Sequence, residues 1–313
     1  MASAMDGVVS PSTAIEIGRL GGVGVLNLEG LWTRYEDPSK AFEEIAQLPS
    51  DQATARMQEL YSEPIKPDLI TARIAEINNA GVISCASITP QRTEKYAEEI
   101  LQSELDVLVI QGTVVTAEHV SKTKAPLNLK TFVRDFPIPT IVVGCASYEA
   151  ALHLMRTGAA GILVGVGPGH ACTTRGVLGI AVPQATAIAD ARAARTRHLD
   201  ETVVYVHVIA DGGMATGGDI AKAIVCGADA VMVGAPLAAA TEAPGQGFHW
   251  GMATPSPILP RGTRIEVGST GSLQRIIRGP AILDDGTHNL LGAIRTSMST
   301  LGAKNIKEMQ NVE

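Results

Sequence analysis

The sequence predicts a single α/β domain spanning residues 1–313 and wound as a TIM (β/α)8 barrel. Three observations predict it. Short β-branched runs alternate with helical patterns along nearly the whole chain. The 313 residues, 45% of them hydrophobic, suffice for one large core. Glycine-led segments such as Gly227-Ala228-Asp229 stand before strand after strand, as where a helix stops on a left-handed glycine and the chain turns directly into the sheet.

Met1–Asp6 reads as the tail of a first strand truncated at its start, because a helical pattern over Ala14–Leu20 follows closely. Seven further strands are expected at Val23–Leu26, Val82–Cys85, Val107–Ile110, Thr140–Val143, Ile162–Val164, Val206–Ile209 and Ala230–Val233, with crossover helices between them. From Pro236 the rhythm fails. Residues 236–285 read as an inserted, flap-like excursion over the barrel mouth. Phe248, Trp250 and Met252 give it too much apolar side chain for a disordered linker. Residues 286–298 read as a closing amphipathic helix.

The formal charge of −7 leaves no basic footprint for nucleic acid or for an anionic membrane surface. The apolar runs are short, and the N-terminus lacks a charged-then-apolar signal pattern, so a cytoplasmic protein is expected. Four cysteines, Cys85, Cys145, Cys172 and Cys226, are scattered without a CxxC pair. Free thiols are expected rather than a zinc site or disulfides.

The chemistry concentrates after the Ile162–Val164 strand, where Gly165-Val166-Gly167-Pro168-Gly169-His170-Ala171-Cys172-Thr173-Thr174-Arg175 delivers a thiol and two hydroxyls on a turn-rich loop. Alone, this segment reads either as covalent machinery or as a strand-to-helix turn with a buried thiol. A thiol of ordinary pKa is little ionised at neutral pH, so a nucleophile needs donors or positive charge nearby. His170 and Arg175 are the candidates; each also reads as a phosphate contact or a solvated side chain. Ala210-Asp211-Gly212-Gly213 and Gly234-Ala235-Pro236 end two later strands, where barrels often cradle phosphate on backbone N–H groups. Asp211 suits a ribose diol better than a phosphate, and reads equally as a helix cap. Cys226 reads as core, whereas Cys85 and Cys145 read either as pocket lining or as core.

Together the Cys172 loop, Ser3-Ala4-Met5-Asp6, Val182-Pro183-Gln184, Asp211-Gly212-Gly213, Gly227-Ala228-Asp229 and Gly251-Met252 resemble the IMP dehydrogenase/GMP reductase family over essentially the full chain. Asn27-Leu28-Glu29-Gly30, Arg34-Tyr35-Glu36-Asp37-Pro38 and Phe248-His249-Trp250-Gly251-Met252-Ala253-Thr254-Pro255-Ser256-Pro257 resemble the IMP-dehydrogenase-related branch of cyanobacteria and actinobacteria. The resemblance implies that Cys172 attacks purine C2 and that the Thr174 hydroxyl assists proton transfer. It implies Asp211 on the ribose, Gly212, Gly213, Gly234 and Ala235 at the phosphate, and Ser3, Met5, Gly251 and Met252 around the nucleotide. Gln111 and Cys145 take the places of cofactor contacts, and potassium is implied on the carbonyls of Gly167, Gly169 and Cys172. A homotetramer, possible as a stacked octamer, is implied as well.

The chain departs from the family where His170 and Ala235 replace phosphate-binding serines, where Gln111 replaces an aspartate and where Cys145 replaces an asparagine. Arg261-Gly262 stands where the family carries a glutamate or glutamine before glycine. No regulatory CBS pair fits between Gly30 and Val82. The first expectation is an NADPH-dependent GMP reductase, since the proline-rich 253–262 lacks the Arg-Tyr pair with which IMP dehydrogenases hydrolyse the covalent intermediate. The rivals are an NAD-dependent IMP dehydrogenase, a catalytically silent purine-nucleotide sensor and an FMN-dependent barrel oxidoreductase.

Overall fold

A computed structural model describes residues 1–112, 127–252, 254–256 and 264–312. Seven parallel strands follow one another in chain order: β1 (Val25–Asn27), β2 (Cys85–Ile88), β3 (Val107–Ile110), β4 (Thr140–Cys145), β5 (Gly161–Val164), β6 (His207–Asp211) and β7 (Ala230–Met232). The N-terminal segment closes the ring. Ala2 bridges in parallel to both Gly24 and Val233, and its amide donates to the Val23 carbonyl at 2.8 Å while Ser3 N–H donates to Val233 at 3.0 Å. Met1–Asp6 thereby takes the eighth position of the barrel.

Alternation along each strand divides the core in two. Ala4, Val25, Cys85, Val109, Ile141, Leu163, Ile209 and Met232 fill the barrel interior, so the ring is a packed core and not a pore. Their neighbours, among them Leu26, Ala86, Leu108, Ile162, Val208 and Ala210, pack outward against the helices. Cys85 is therefore interior core, with burial pushing its thiol up to about 12. Cys226 packs against the outer core.

Three expectations need correction. β2 starts at Cys85, where the sequence reading ended it: Ile83 is 55% exposed, and the Asp106 carboxylate accepts from Ser84 N–H and Oγ, holding that residue at the strand's entrance. The excursion after β7 does not run to 285. A short antiparallel ribbon, β8 (Phe248–His249) with β9 (Ile265–Glu266), rises from it, but helix Leu273–Arg278 already returns to the core through buried Leu273, Ile276 and Ile277. The closing helix occupies Leu290–Thr300, starting where Asn289 caps the Gly292 amide.

Residues between β1 and β2 supply an element that the strand-helix rhythm did not announce. Helices Ser39–Gln47 and Ser50–Leu60 form a hairpin with its own small core, in which Phe42, Ile45, Met57 and Leu31 surround Trp250 from the β8 segment. Among the described residues no helix is long and apolar enough to cross a membrane.

Candidate active site

The loops at the C-terminal ends of the strands enclose one cavity of about 450 Å³. The Cys172 loop forms one wall: Gly167, Gly169, His170, Cys172 and Thr174 all line it. Asp211, Gly212 and Gly213 after β6, and Gly234 and Ala235 after β7, form another. Ser3 and Met5 lie at the closure of the ring, Gly251 and Met252 come from the excursion, and Gln111 follows β3. Fifteen positions singled out in the sequence thus share one cavity. Arg261 and Gly262 lie outside the described residues.

Cys145 is the exception. Between β4 and β5 the register slips, with Val143 opposite Leu163 and Cys145 opposite Val164, so Gly144 is the extra residue of a bulge. One extra residue reverses which face the next side chain takes. Gly144 lines the cavity, while the Cys145 thiol is buried in the outer core, with Sγ 3.6 Å from the Leu163 carbonyl and burial pushing its pKa up to about 12. Cys145 is therefore not a cofactor contact.

The Cys172 loop is held from outside the cavity. Gly165 has φ +146°, and a Cβ there would stand 2.3 Å from the Asp211 carbonyl, so only glycine lets β5 end this close to β6. Gln184 Nε2 donates to the Val164 carbonyl at 2.7 Å and to that of Asp211 at 3.3 Å, tying the two strand ends together. Gly212 and Gly213, both with positive φ, pack directly against Pro168 and Gly169. Arg175 does not line the cavity. Its Nε donates to the Val166 carbonyl at 3.1 Å and its Nη2 to that of Val182 at 2.8 Å, stapling the two ends of the loop.

The Cys172 side chain is exposed to the cavity. Its thiol is nonetheless raised above the ordinary value, first by the surrounding protein and then by the Asp211 carboxylate; the Gly169 amide contact and Arg175 offset this only in part. Of the two candidates for lowering the thiol pKa, Arg175 acts on it, but only in part offsets the rise, while its guanidinium is bound to carbonyls. Asp211 is pushed up to about 7 by burial, with no side-chain hydrogen bond among the described residues to offset it. That rules out the helix-cap reading: the cap of helix Gly217–Cys226 is Thr216, in a capping box with Asp219.

Sequence reasoning missed a supporting layer. Asp6 is buried, and its carboxylate accepts from Leu31 N–H at 2.7 Å, from Asn27 Nδ2 at 3.3 Å and from the Tyr61 hydroxyl at 2.6 Å. The Tyr61 oxygen in turn accepts from Trp250 Nε1 at 2.9 Å. This chain fixes Met5, next to Asp6, and Gly251, next to Trp250, on two sides of the cavity. His249, which also lines it, was missed as a site residue, although the Phe248–Pro257 segment that carries it belongs to the branch pattern.

A (β/α)8 barrel with a cysteine loop after its fifth strand, facing an Asp-Gly-Gly turn, defines a class of oxidoreductase, and residues 1–254 match the IMP dehydrogenase / GMP reductase domain family. The chain belongs to that family. It is 46% identical to an uncharacterized oxidoreductase of Mycolicibacterium smegmatis, covering 98% of this chain and 84% of that protein. The inosine-5′-monophosphate dehydrogenase of Methanocaldococcus jannaschii is 33% identical over 73% of this chain and 49% of its own length. The crystal structure of an IMP dehydrogenase/GMP reductase-like protein from Corynebacterium glutamicum superposes with a TM-score of 0.93 at 40% identity, covering all of this chain and 84% of that one.

Proposed function

We propose that this oxidoreductase is a GMP reductase, converting GMP, NADPH and a proton into IMP, NADP⁺ and ammonia. The observation that carries the covalent part is the Cys172 thiol, open to a cavity that also holds the unpaired Asp211 carboxylate. Asp211 accepts from the ribose hydroxyls and so fixes the base over Sγ. Cys172 gives up its proton and adds to purine C2; the C2–N bond breaks and ammonia leaves with that proton, passed through the Thr174 hydroxyl, while C2 stays on sulfur as a thioimidate. The chemistry a reduced nicotinamide supplies when bound is a hydride to that same carbon. The C2–Sγ bond then breaks, Cys172 departs as thiolate, and a proton from solvent restores the thiol.

Gln111 fits such a cofactor: its Oε1 is buried without a hydrogen-bond partner among the described residues, at the cavity, an acceptor suited to an amide N–H. The carbonyls of Gly167, Gly169 and Cys172 suit a hard monovalent cation such as potassium, although that of Gly169 already accepts the Cys172 amide at 3.0 Å. The direction of reaction rests on the sequence of 253–262, which lacks an Arg-Tyr pair to activate water. The second reading, IMP dehydrogenase with NAD, is favoured by the activity named for the Methanocaldococcus jannaschii relative.

Purified protein is expected to oxidise NADPH with GMP, forming IMP and ammonia, with negligible XMP from IMP and NAD. XMP production alone would reverse the assignment. The proposed assembly is a cytoplasmic homotetramer, or an octamer of two tetramers, and a monomeric mass by light scattering would contradict it.

A further inference from the structure

We propose that His170 and His249 form an imidazole pair that grips the phosphate of the purine nucleotide and takes up a proton as it binds. The inference rests on the nucleotide reading of the cavity. His249 is only 2% exposed, yet neither ring nitrogen has a hydrogen-bond partner among the described residues. A buried polar group left unpaired is costly and calls for an explanation. Here both nitrogens belong to a residue that lines the cavity, and the His170 ring lies across from it at 6.2 Å between centroids.

The surroundings point to an oxyanion. His170 follows Gly169, which the Gly212–Gly213 turn packs against, and Gly251, two residues beyond His249, approaches the Ala171 carbonyl. The pair is thus adjacent to the glycine turn after β6 and shares the cavity with Gly234 after β7. A phosphate dianion needs positive charge or several donors. Among the described lining residues there is no lysine or arginine. Imidazole is the one lining side chain that can become cationic near neutral pH. A metal ion is a poorer occupant, because no cluster of three ligating side chains exists among the described residues.

The charged groups around the pair set the direction of the effect. Asp211 and Cys172 line the same cavity; Asp6 lies behind Gly7, whose α-carbon position abuts His249, and is bound to Tyr61; Arg175 is bound to carbonyls; Arg264 stacks on the Phe248 ring. Without ligand, burial and then His170 hold His249 down at about 4, so it is neutral at pH 7. A dianion between the rings favours the protonated form. The bound pKa then lies above the free one, protons are taken up on binding, and affinity rises as pH falls until the phosphate itself gains a proton near pH ~6.

The test compares GMP with guanosine, which lacks the phosphate, by calorimetry on the whole protein from about pH 8.5 to about pH 6.5, in buffers of different ionisation heat. The expected result is more proton uptake with GMP than with guanosine, whose ribose acts equally on Asp211, and a GMP advantage that grows as pH falls. His249→Gln and His170→Gln should each lower GMP affinity roughly tenfold or more and leave guanosine affinity unchanged. His170 is exposed, so its variant and the wild-type proton count decide the matter even if His249→Gln does not fold. A GMP advantage that is independent of pH and equal in the His170 variant overturns the imidazole pair and leaves the nucleotide reading standing. Absence of binding by GMP, IMP and guanosine alike overturns both.

Discussion

Replacing Asp211 with asparagine should stabilise the ligand-free protein above neutral pH while weakening its grip on nucleotide. The carboxyl sits at the end of β6, and burial alone raises it from 3.8 to about 7. Because the folded-state pKa lies above the unfolded one, the unfolded chain loses this proton first as pH rises. The associated stability is therefore fully present below about pH 4 and is lost as pH rises through about 7. The rise corresponds to at most about 4 kcal/mol, at about 1.4 kcal/mol for each tenfold change in ionisation. Asp211 borders the open cavity and keeps part of its hydration, so the realised effect should be nearer ~1–2 kcal/mol. Urea unfolding of both proteins at several pH values isolates the residue, since every other titrating group is common to the two. The variant should be close to the wild type near pH ~4 and more stable near pH ~8. Nucleotide affinity should fall by roughly tenfold or more, because the ribose hydroxyls lose an anionic acceptor. A stability difference that does not change with pH would refute the argument, as would a wild type more stable than the variant at alkaline pH.

Cys172→Ala should abolish turnover but bind GMP with nearly unchanged affinity, since the proposed ribose and phosphate contacts come from side chains other than the thiol; comparable turnover would remove covalent catalysis. Trp250→Phe keeps the packing on Phe42 but deletes the 2.9 Å bond to Tyr61, so a loss of about 1 kcal/mol in urea unfolding and a raised KM for the nucleotide are expected, and an unchanged KM would show that the Asp6–Tyr61–Trp250 chain does not position Gly251 and Met252. Asp229 is partly desolvated, but Lys307, Tyr205, the Val208 amide and Arg195 outweigh this and hold it at about 2, so its contribution is present above the ordinary carboxylate range and is lost as pH falls through about 2. Asp229→Asn should cost about 3 kcal/mol at neutral pH, read by urea unfolding, and a loss below ~1 kcal/mol would show that the Arg195–Asp229–Lys307 network contributes little.

Much of this architecture was legible because each strand announces itself locally. Val107–Ile110 and Ile162–Val164 are β-branched or aliphatic runs bounded by polar or glycine residues, and both coincide with observed strands to within a residue. Where tertiary partners decide, the reading slipped. Val82 and Ile83 have strand chemistry, but Val82 packs against Gly18 and the Asp106–Ser84 contact delays the strand. The helical hairpin at residues 39–60 was invisible to a search for alternating strands and helices, since it belongs to no βα unit; its reason for being is Trp250, nearly two hundred residues later in the chain. The cavity positions were legible as glycine-rich strand ends plus a family pattern. The orientation of Cys145 was not, because a one-residue bulge leaves no mark in composition.

The protonation of the resting cavity ties these observations together. At neutral pH the Cys172 thiol is protonated, Asp211 is poised near half-ionisation and His249 is neutral, so the walls carry little charge where the proposed nucleotide, with two negative charges, would enter. Each of the three is held there chiefly by burial, and under the proposed reading each is released by a different part of the nucleotide: Asp211 ionises as hydroxyls donate to it, His249 gains a proton as phosphate arrives, and the thiol loses its proton before sulfur bonds to C2. Binding therefore moves protons in opposite directions at opposite ends of the ligand. A site arranged in this way withholds a reactive thiolate while empty and favours one only when the correct ligand has fixed the surrounding charges, which explains why Cys172 can be exposed to the cavity without standing permanently ionised.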